Sequence, residues 1–137
     1  MPHPLNTPIN KIFPKEERLH SKKMIQELFD KGSSFYLYPF KIIILRNAND
    51  HTAEHQVLIS VSKRNFKLAV DRNLIKRKIK EAYRLNKQLL YSNENINEPL
   101  LIAYIYTGKE NHPFQFIQNK LIKSIKRLNE EVLKLKR

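Results

Sequence analysis

Hydrophobic positions along this chain fall into blocks with different periods, and each period predicts an element. "HSKKMIQELFDKG" sets Met24, Ile25, Leu28 and Phe29 at the spacing of one helix face. Ser21 is suited to cap that helix and Gly32 to stop it. "SSFYLYPFKIIILRN" is dense in aromatic and β-branched residues and reads as strand. Pro39 cannot donate to a ladder, so the part before it reads as an edge or irregular entry. Tyr36, Tyr38 and Phe40 alternate onto one face there; some of them can offer an aromatic stacking surface, with core packing the stronger role for Phe40. "QVLISVS", 56–62, reads as a second strand, expected to pair antiparallel with the first across the polar turn 47–55. "LLIAYIYT", 100–107, is apolar almost without a break, which predicts a strand buried on both faces. Phe114, Ile117, Leu121, Ile125, Leu128, Val132 and Leu135 then form the stripe of a core-packed helix.

Between the second and third strands lies "VDRNLIKRKIKEAYRLNK", Val70 to Lys87, predicting a helix over about 71–90. Asp71 suits its N-cap or its first turn. At about 100° per residue, Leu74, Ile75, Ile79, Ala82, Leu85 and Leu89 fall on one side. Arg72, Asn73, Lys76, Lys80, Arg84 and Lys87 fall on the other, with Arg77 at the edge. Lys78 lands inside the apolar arc, where its aliphatic stem can pack while its ammonium reaches out. The order is helix, strand, strand, helix, strand, helix: one α+β domain over 19–137, preceded by an extended, Pro-punctuated arm over 1–18.

Charge changes the picture. The chain carries 26 Lys and Arg against 13 Asp and Glu, a net charge of +13. Such a surface attracts polyanions. Solvated helix faces usually mix signs, but the polar side of this helix is almost all basic, and the charge continues upstream in Lys63, Arg64 and Lys67. Stacked like charges destabilise unless a polyanion relieves them. Nucleic acid is the expected partner; an anionic membrane surface is the competitor, but it would need the apolar face that the core uses. Arg72 and Asn73 stand at the helix start, where free backbone N–H groups and an Arg fork can hold a phosphate. Asn73 serves equally well as a capping residue.

Catalytic chemistry is not visible in the side chains. Gly32 and Gly108 are the only glycines, so there is no phosphate-binding glycine loop, and there is no cysteine for a disulfide or thiolate site. His51 and His55 lie four apart in a polar loop without a third ligand, so no metal site is expected on the protein. No apolar run approaches the roughly 18 residues of a membrane span, and the N-terminus lacks the pattern of a secretory signal. A cytoplasmic binder, with no membrane partner, is expected.

"LISVSKRNFKLAVDRNLIKRKIKEAYR", 58–84, resembles the signature of the protein subunit family of bacterial ribonuclease P. The resemblance rests on Ser60-Val61-Ser62-Lys63, Ala69-Val70, Arg72-Asn73, Lys76-Arg77 and Lys80. "MIQELFDKG" and "ERLHSKK" extend it, so that it covers about 16–133. It implies a fold similar to the second domain of ribosomal protein S5, a two-layer α/β arrangement ordered α-β-β-α-β-α with a left-handed βαβ crossover. It also implies a function. The catalytic RNA of that enzyme removes the 5′ leader of precursor tRNA by Mg²⁺-dependent hydrolysis, with Mg²⁺ on the RNA. One copy of the protein binds that RNA and holds the single-stranded leader in a cleft. By this resemblance Arg72, Asn73, Lys76, Arg77 and Lys80 face RNA, and Ile25, Phe29, Ile43 and Ser60 line the cleft; the basic patterning adds Lys63, Arg64 and Arg84 to the RNA-facing set. Phe29 suits either core packing or base stacking. The departures are Leu74 where the family usually has Arg, Asn65-Phe66 where a glycine is typical, and Ile25 and Ile43 where aromatics are common. The alternative is a structural RNA-binding protein, ribosomal or chaperone-like, with no part in tRNA processing.

Overall fold

The computed structural model describes residues 13–47, 54–93, 96 and 98–135. Residues 1–12 of the expected arm, and His51, lie outside the described residues. Helix α1 (Lys22–Lys31) starts at Ser21, whose hydroxyl accepts from the Met24 N–H at 3.3 Å, and ends at Gly32, whose N–H donates to the Leu28 carbonyl at 2.8 Å. Gly32 has an ordinary φ of −70°. Its use is close approach: an added Cβ would meet the Leu28 carbonyl and stand 2.5 Å from Ile43 Cγ2.

The long aromatic and aliphatic run splits at a cis Tyr38-Pro39 bond into β1 (Ser33–Leu37) and β2 (Phe40–Arg46), an antiparallel pair. Strand β3 (Gln56–Val61) is followed by α2 (Ala69–Asn86), the short α3 (Gln88–Tyr91), β4 (Leu100–Tyr106) and α4 (Phe114–Leu133). The sheet order is β1-β2-β4-β3. Here the expected pairing of the second strand with the first is corrected: β3 does not touch β2 but runs parallel to β4, which separates them. The reason is β4 itself. It is the most continuously apolar strand and takes a central place, where both faces and both edges are covered.

Alternation sorts the strand residues onto two faces. Phe40, Ile42, Ile44, Val57, Val61, Ile102, Tyr104 and Tyr106 meet α2 and α4 in the main core. Ile43, Leu101 and Ala103 meet Leu19 and Leu28 in a smaller cluster beneath α1. The α4 stripe is buried as predicted at Ile117, Leu121, Ile125, Leu128 and Val132. Its small polar member, Ser124, is satisfied by the Leu121 carbonyl and by Tyr104 Oη at 2.9 Å.

Residues 13–19 are fastened to this body. Lys15–Glu17 form one 3-10 turn, Arg18 bridges to Val57, and the Leu19 N–H donates to the Val57 carbonyl at 3.0 Å. Glu17 is buried against Lys87 Nζ at 2.8 Å and accepts from Tyr91 Oη at 3.2 Å. Burial pushes the Glu17 carboxyl above its usual range, against the opposing pull of Lys87.

Candidate nucleic-acid interface

Helix α2 is the first component of the interface. Ile75, Ile79, Ala82 and Tyr83 are buried, so the helix rests on the sheet through the side its apolar spacing selects. Its basic residues divide by what they touch. Arg72 Nη1 donates to the Phe66 carbonyl at 2.7 Å and the Lys67 carbonyl at 2.9 Å, so part of its fork closes the 62–68 loop rather than facing outward. Lys78 Nζ donates to Asn111 Oδ1 at 2.7 Å and the His112 carbonyl at 3.0 Å, tying α2 to the segment before α4. Arg84 is held by both Glu81 oxygens, at 2.9 and 2.6 Å. That pair holds the Glu81 carboxyl below its usual range. Lys87, placed on the basic arc by helical counting, is buried and paired with Glu17 instead. Lys76, Arg77 and Lys80 make no ion pair among the described residues. They form the middle of the ridge, with Lys63, Arg64 and Asn73 exposed nearer its N-terminal end.

Leu74 also departs from its expected place. It is 42% exposed, and Leu68 and Val70 are more exposed still. The first turn of α2 therefore projects past the packed region, and an apolar step lies among the cations.

The second component is the sheet face that α1 leaves partly open. Cross-strand partners share a face, so Tyr36, Lys41, Ile105 and Ser60 form one row across all the strands. Ile43, Ala103 and Leu58 form the next row, beneath α1. Of the four residues expected to line a cleft, Ser60 lies in the open row. Phe29 is 46% exposed on the last turn of α1. Ile25 packs partly against the cluster beneath α1, and Ile43 is buried in it, so both stand behind the groove surface. Pairing adds residues that spacing did not single out for the cleft. Tyr36 is 63% exposed with Lys41 Nζ 5.7 Å from its ring centroid, and Ile105 continues the floor. The signal was available in the alternation of the strands, but only once their register is known.

Two cavities connect the components. One, of about 540 Å³, is lined by Ser62, Arg64, Asn65, Ile105, Tyr106, Thr107 and Lys109, at the end of the open row. The other, of about 190 Å³, lies where Lys76 and Lys80 reach Leu58 and Ile59 of β3, with Phe13 and Arg18 closing it. Arg18 itself is occupied, donating from Nε and Nη2 to the Phe13 carbonyl at 3.1 and 2.9 Å. The ridge and the groove therefore meet along the β3 edge, an arrangement of cations beside apolar and aromatic surface that suits a nucleic-acid strand.

Among the described residues no group of three or more His, Asp or Glu is placed to hold a metal. His55 is buried, accepts at Nδ1 from the Leu100 N–H at 3.1 Å, and packs on Tyr91. Burial drives its pKa down to about 4, which marks it as a structural, neutral histidine. No helix among the described residues is long and apolar enough to cross a membrane.

Known proteins resemble this chain in sequence and in fold. The Ribonuclease P family model matches residues 13–129. A ribonuclease P protein component of Porphyromonas gingivalis is 34% identical over 117 residues, covering 83% of this chain and 84% of that protein. One from Petrotoga mobilis is 31% identical over 123 residues, covering 85% and 94%. Among solved structures, the RNase P protein from Thermotoga maritima superposes with a TM-score of 0.65 at 25% identity, covering 81% of this chain and 96% of that one. The Staphylococcus aureus RNase P protein superposes at 0.63 with 23% identity, covering 82% and 94%. With its ridge, its groove and these likenesses, the chain belongs to the bacterial ribonuclease P protein family, the RNA-binding protein component of that endoribonuclease.

Proposed function

We propose that this chain binds the catalytic RNA of ribonuclease P along α2 and holds the single-stranded 5′ leader of precursor tRNA in the open groove. One observation carries the reading: Lys76 and Lys80 of the ridge and Leu58 and Ile59 of β3 line a single cavity, so a strand in the groove runs beside the cations. In this assignment Lys76, Arg77 and Lys80 contact phosphates, with Lys63, Arg64 and Asn73 extending the track. Arg72 sets the 62–68 loop. Arg84 contributes little beyond its pair with Glu81. Phe29 and Tyr36 present rings to unpaired bases, while Ser60 and Ile105 form the floor.

Hydrolysis is assigned to the RNA subunit with Mg²⁺ bound there. The protein contributes position and charge: cations beside the leader offset phosphate repulsion, and a seated leader fixes the cleavage point relative to the RNA's reactive centre. One copy acts per RNA. The test is reconstitution of the protein with its cognate catalytic RNA at limiting Mg²⁺, following leader removal from precursor tRNA. Added protein should raise the cleavage rate, and shortening the leader to a single nucleotide should remove much of the gain. A rate unchanged by protein sinks the proposal.

A further inference from the structure

At the sheet edge opposite β3, the turn joining β1 and β2 meets the start of α4 in an aromatic cluster that the groove and ridge do not use. Tyr38 is 54% exposed, its Oη lies 3.0 Å from His112 Nε2, and its ring stands edge-on to His112 and Phe116. His112 stacks on Phe116 with centroids 4.4 Å apart. Lys120 Nζ stands 5.4 Å from the Phe116 centroid. One flank of α4 continues this line. Phe116, Lys120, Lys123 and Arg127 recur at intervals of four, three and four, and the helix holds no acid between Phe114 and Asn129. Arg127 reaches the edge strand, donating to the Tyr36 carbonyl at 3.0 Å and lying over the Phe35 ring at 4.7 Å. The first acid on the flank, Glu131, is already engaged by Arg127 and Lys134.

Aromatic rings interleaved with unneutralised cations are what an unpaired nucleic-acid strand needs: faces for bases and charges for phosphates. A turn and helix flank serving only to close the core would have no need to leave Tyr38 half in water beside a file of lysines. We propose that Tyr38, His112 and Phe116, with Lys120 and Lys123, form a second RNA surface that takes unpaired nucleotides, separate from the ridge and groove. Helix α4 packs on the sheet face that holds Phe40, Ile42 and Ile44, whereas the groove row holds Lys41 on the other face, so one protein can engage two RNA segments at once. This rests on the reading of the chain as an RNA binder.

The test uses the full chain and a single-stranded RNA of roughly ten nucleotides bearing photoreactive uridines, with a duplex of matching length for comparison. Crosslinked peptides should include Tyr38 or the 112–116 segment as well as the groove. Tyr38→Ala should weaken single-strand binding at this surface about five- to hundredfold while leaving duplex binding nearly unchanged. Lys120→Gln with Lys123→Gln, both on the helix surface, should lower the crosslink yield at Tyr38, with the unfolding midpoint reporting that each variant is folded. Crosslinks confined to the groove and ridge, or equal losses on single strand and duplex, overturn this second surface and leave the first reading standing. Absence of RNA binding by the unaltered protein overturns both.

Discussion

Removing the middle of the ridge should change the salt dependence of RNA binding by a definite amount. Lys76, Arg77 and Lys80 lack ion pairs among the described residues, so each is available to displace a counterion from RNA. Each phosphate contact on a duplex contributes about −0.9 to the slope of log K against log salt, so three contacts contribute about −2.7. Between roughly 50 and 200 mM salt, a fourfold rise, that slope corresponds to about 40-fold in affinity. The triple variant Lys76→Gln, Arg77→Gln, Lys80→Gln should therefore flatten the slope by about 2.7 units, measured by fluorescence anisotropy on a structured RNA at several salt concentrations. The matched control is Glu81→Gln with Arg84→Gln. It removes one acid and one cation that neutralise each other at 2.6 Å, and it should leave the slope where it was. If the control flattens the slope as much per cation as the triple variant, attraction is diffuse and the partition of α2 into free and occupied charges is wrong.

Three further outcomes concern the frame that holds this interface. His55 has its folded pKa depressed to about 4, so its neutral form is favoured in the fold. Its contribution to stability is fully present above the unfolded pKa near 6.5 and is lost as pH falls toward 4, by about 3 kcal/mol in all. Glu17, raised by burial, works in the opposite sense. The comparison is therefore with His55→Asn, which can accept from Leu100 without titrating and should flatten that fall in urea midpoints from pH 7 to 4. Lys87→Met leaves the Glu17 carboxylate buried without its cation and should cost about 3–5 kcal/mol. Adding Glu17→Gln should recover most of that loss, and no recovery would mean that Lys87 acts through packing rather than charge. Gly32→Ala forces a methyl against the Leu28 carbonyl and Ile43 and should cost about 1–3 kcal/mol in denaturant unfolding.

Local structure is legible in the sequence. Ser21 caps α1, Gly32 ends it, and the α4 stripe is buried along its length, because capping and one-faced burial depend on residues three or four apart. Strand partnership depends on the whole sheet. A short loop favours the antiparallel neighbour, and only the burial demand of β4 inserts it between β2 and β3. The groove suffered for the same reason. Tyr36 and Ser60 lie 24 positions apart and join one row only through Lys41 and Ile105.

Helical counting has a more specific blind spot: it records where a charge points but not what has already claimed it. Seven basic residues between Arg72 and Lys87 look like one continuous ridge. Glu17, seventy residues from Lys87, draws that lysine into the interior. The loop carbonyls of Phe66 and Lys67 take part of Arg72, Glu81 takes Arg84, and the 111–112 segment takes Lys78. What remains is Lys76, Arg77 and Lys80, and two of these line the cavity against β3. Internal pairing thus does more than subtract charge. It narrows a long basic face to a short one set beside the groove; in the proposed reading, net charge brings RNA to the protein and the few unclaimed cations fix where it lies.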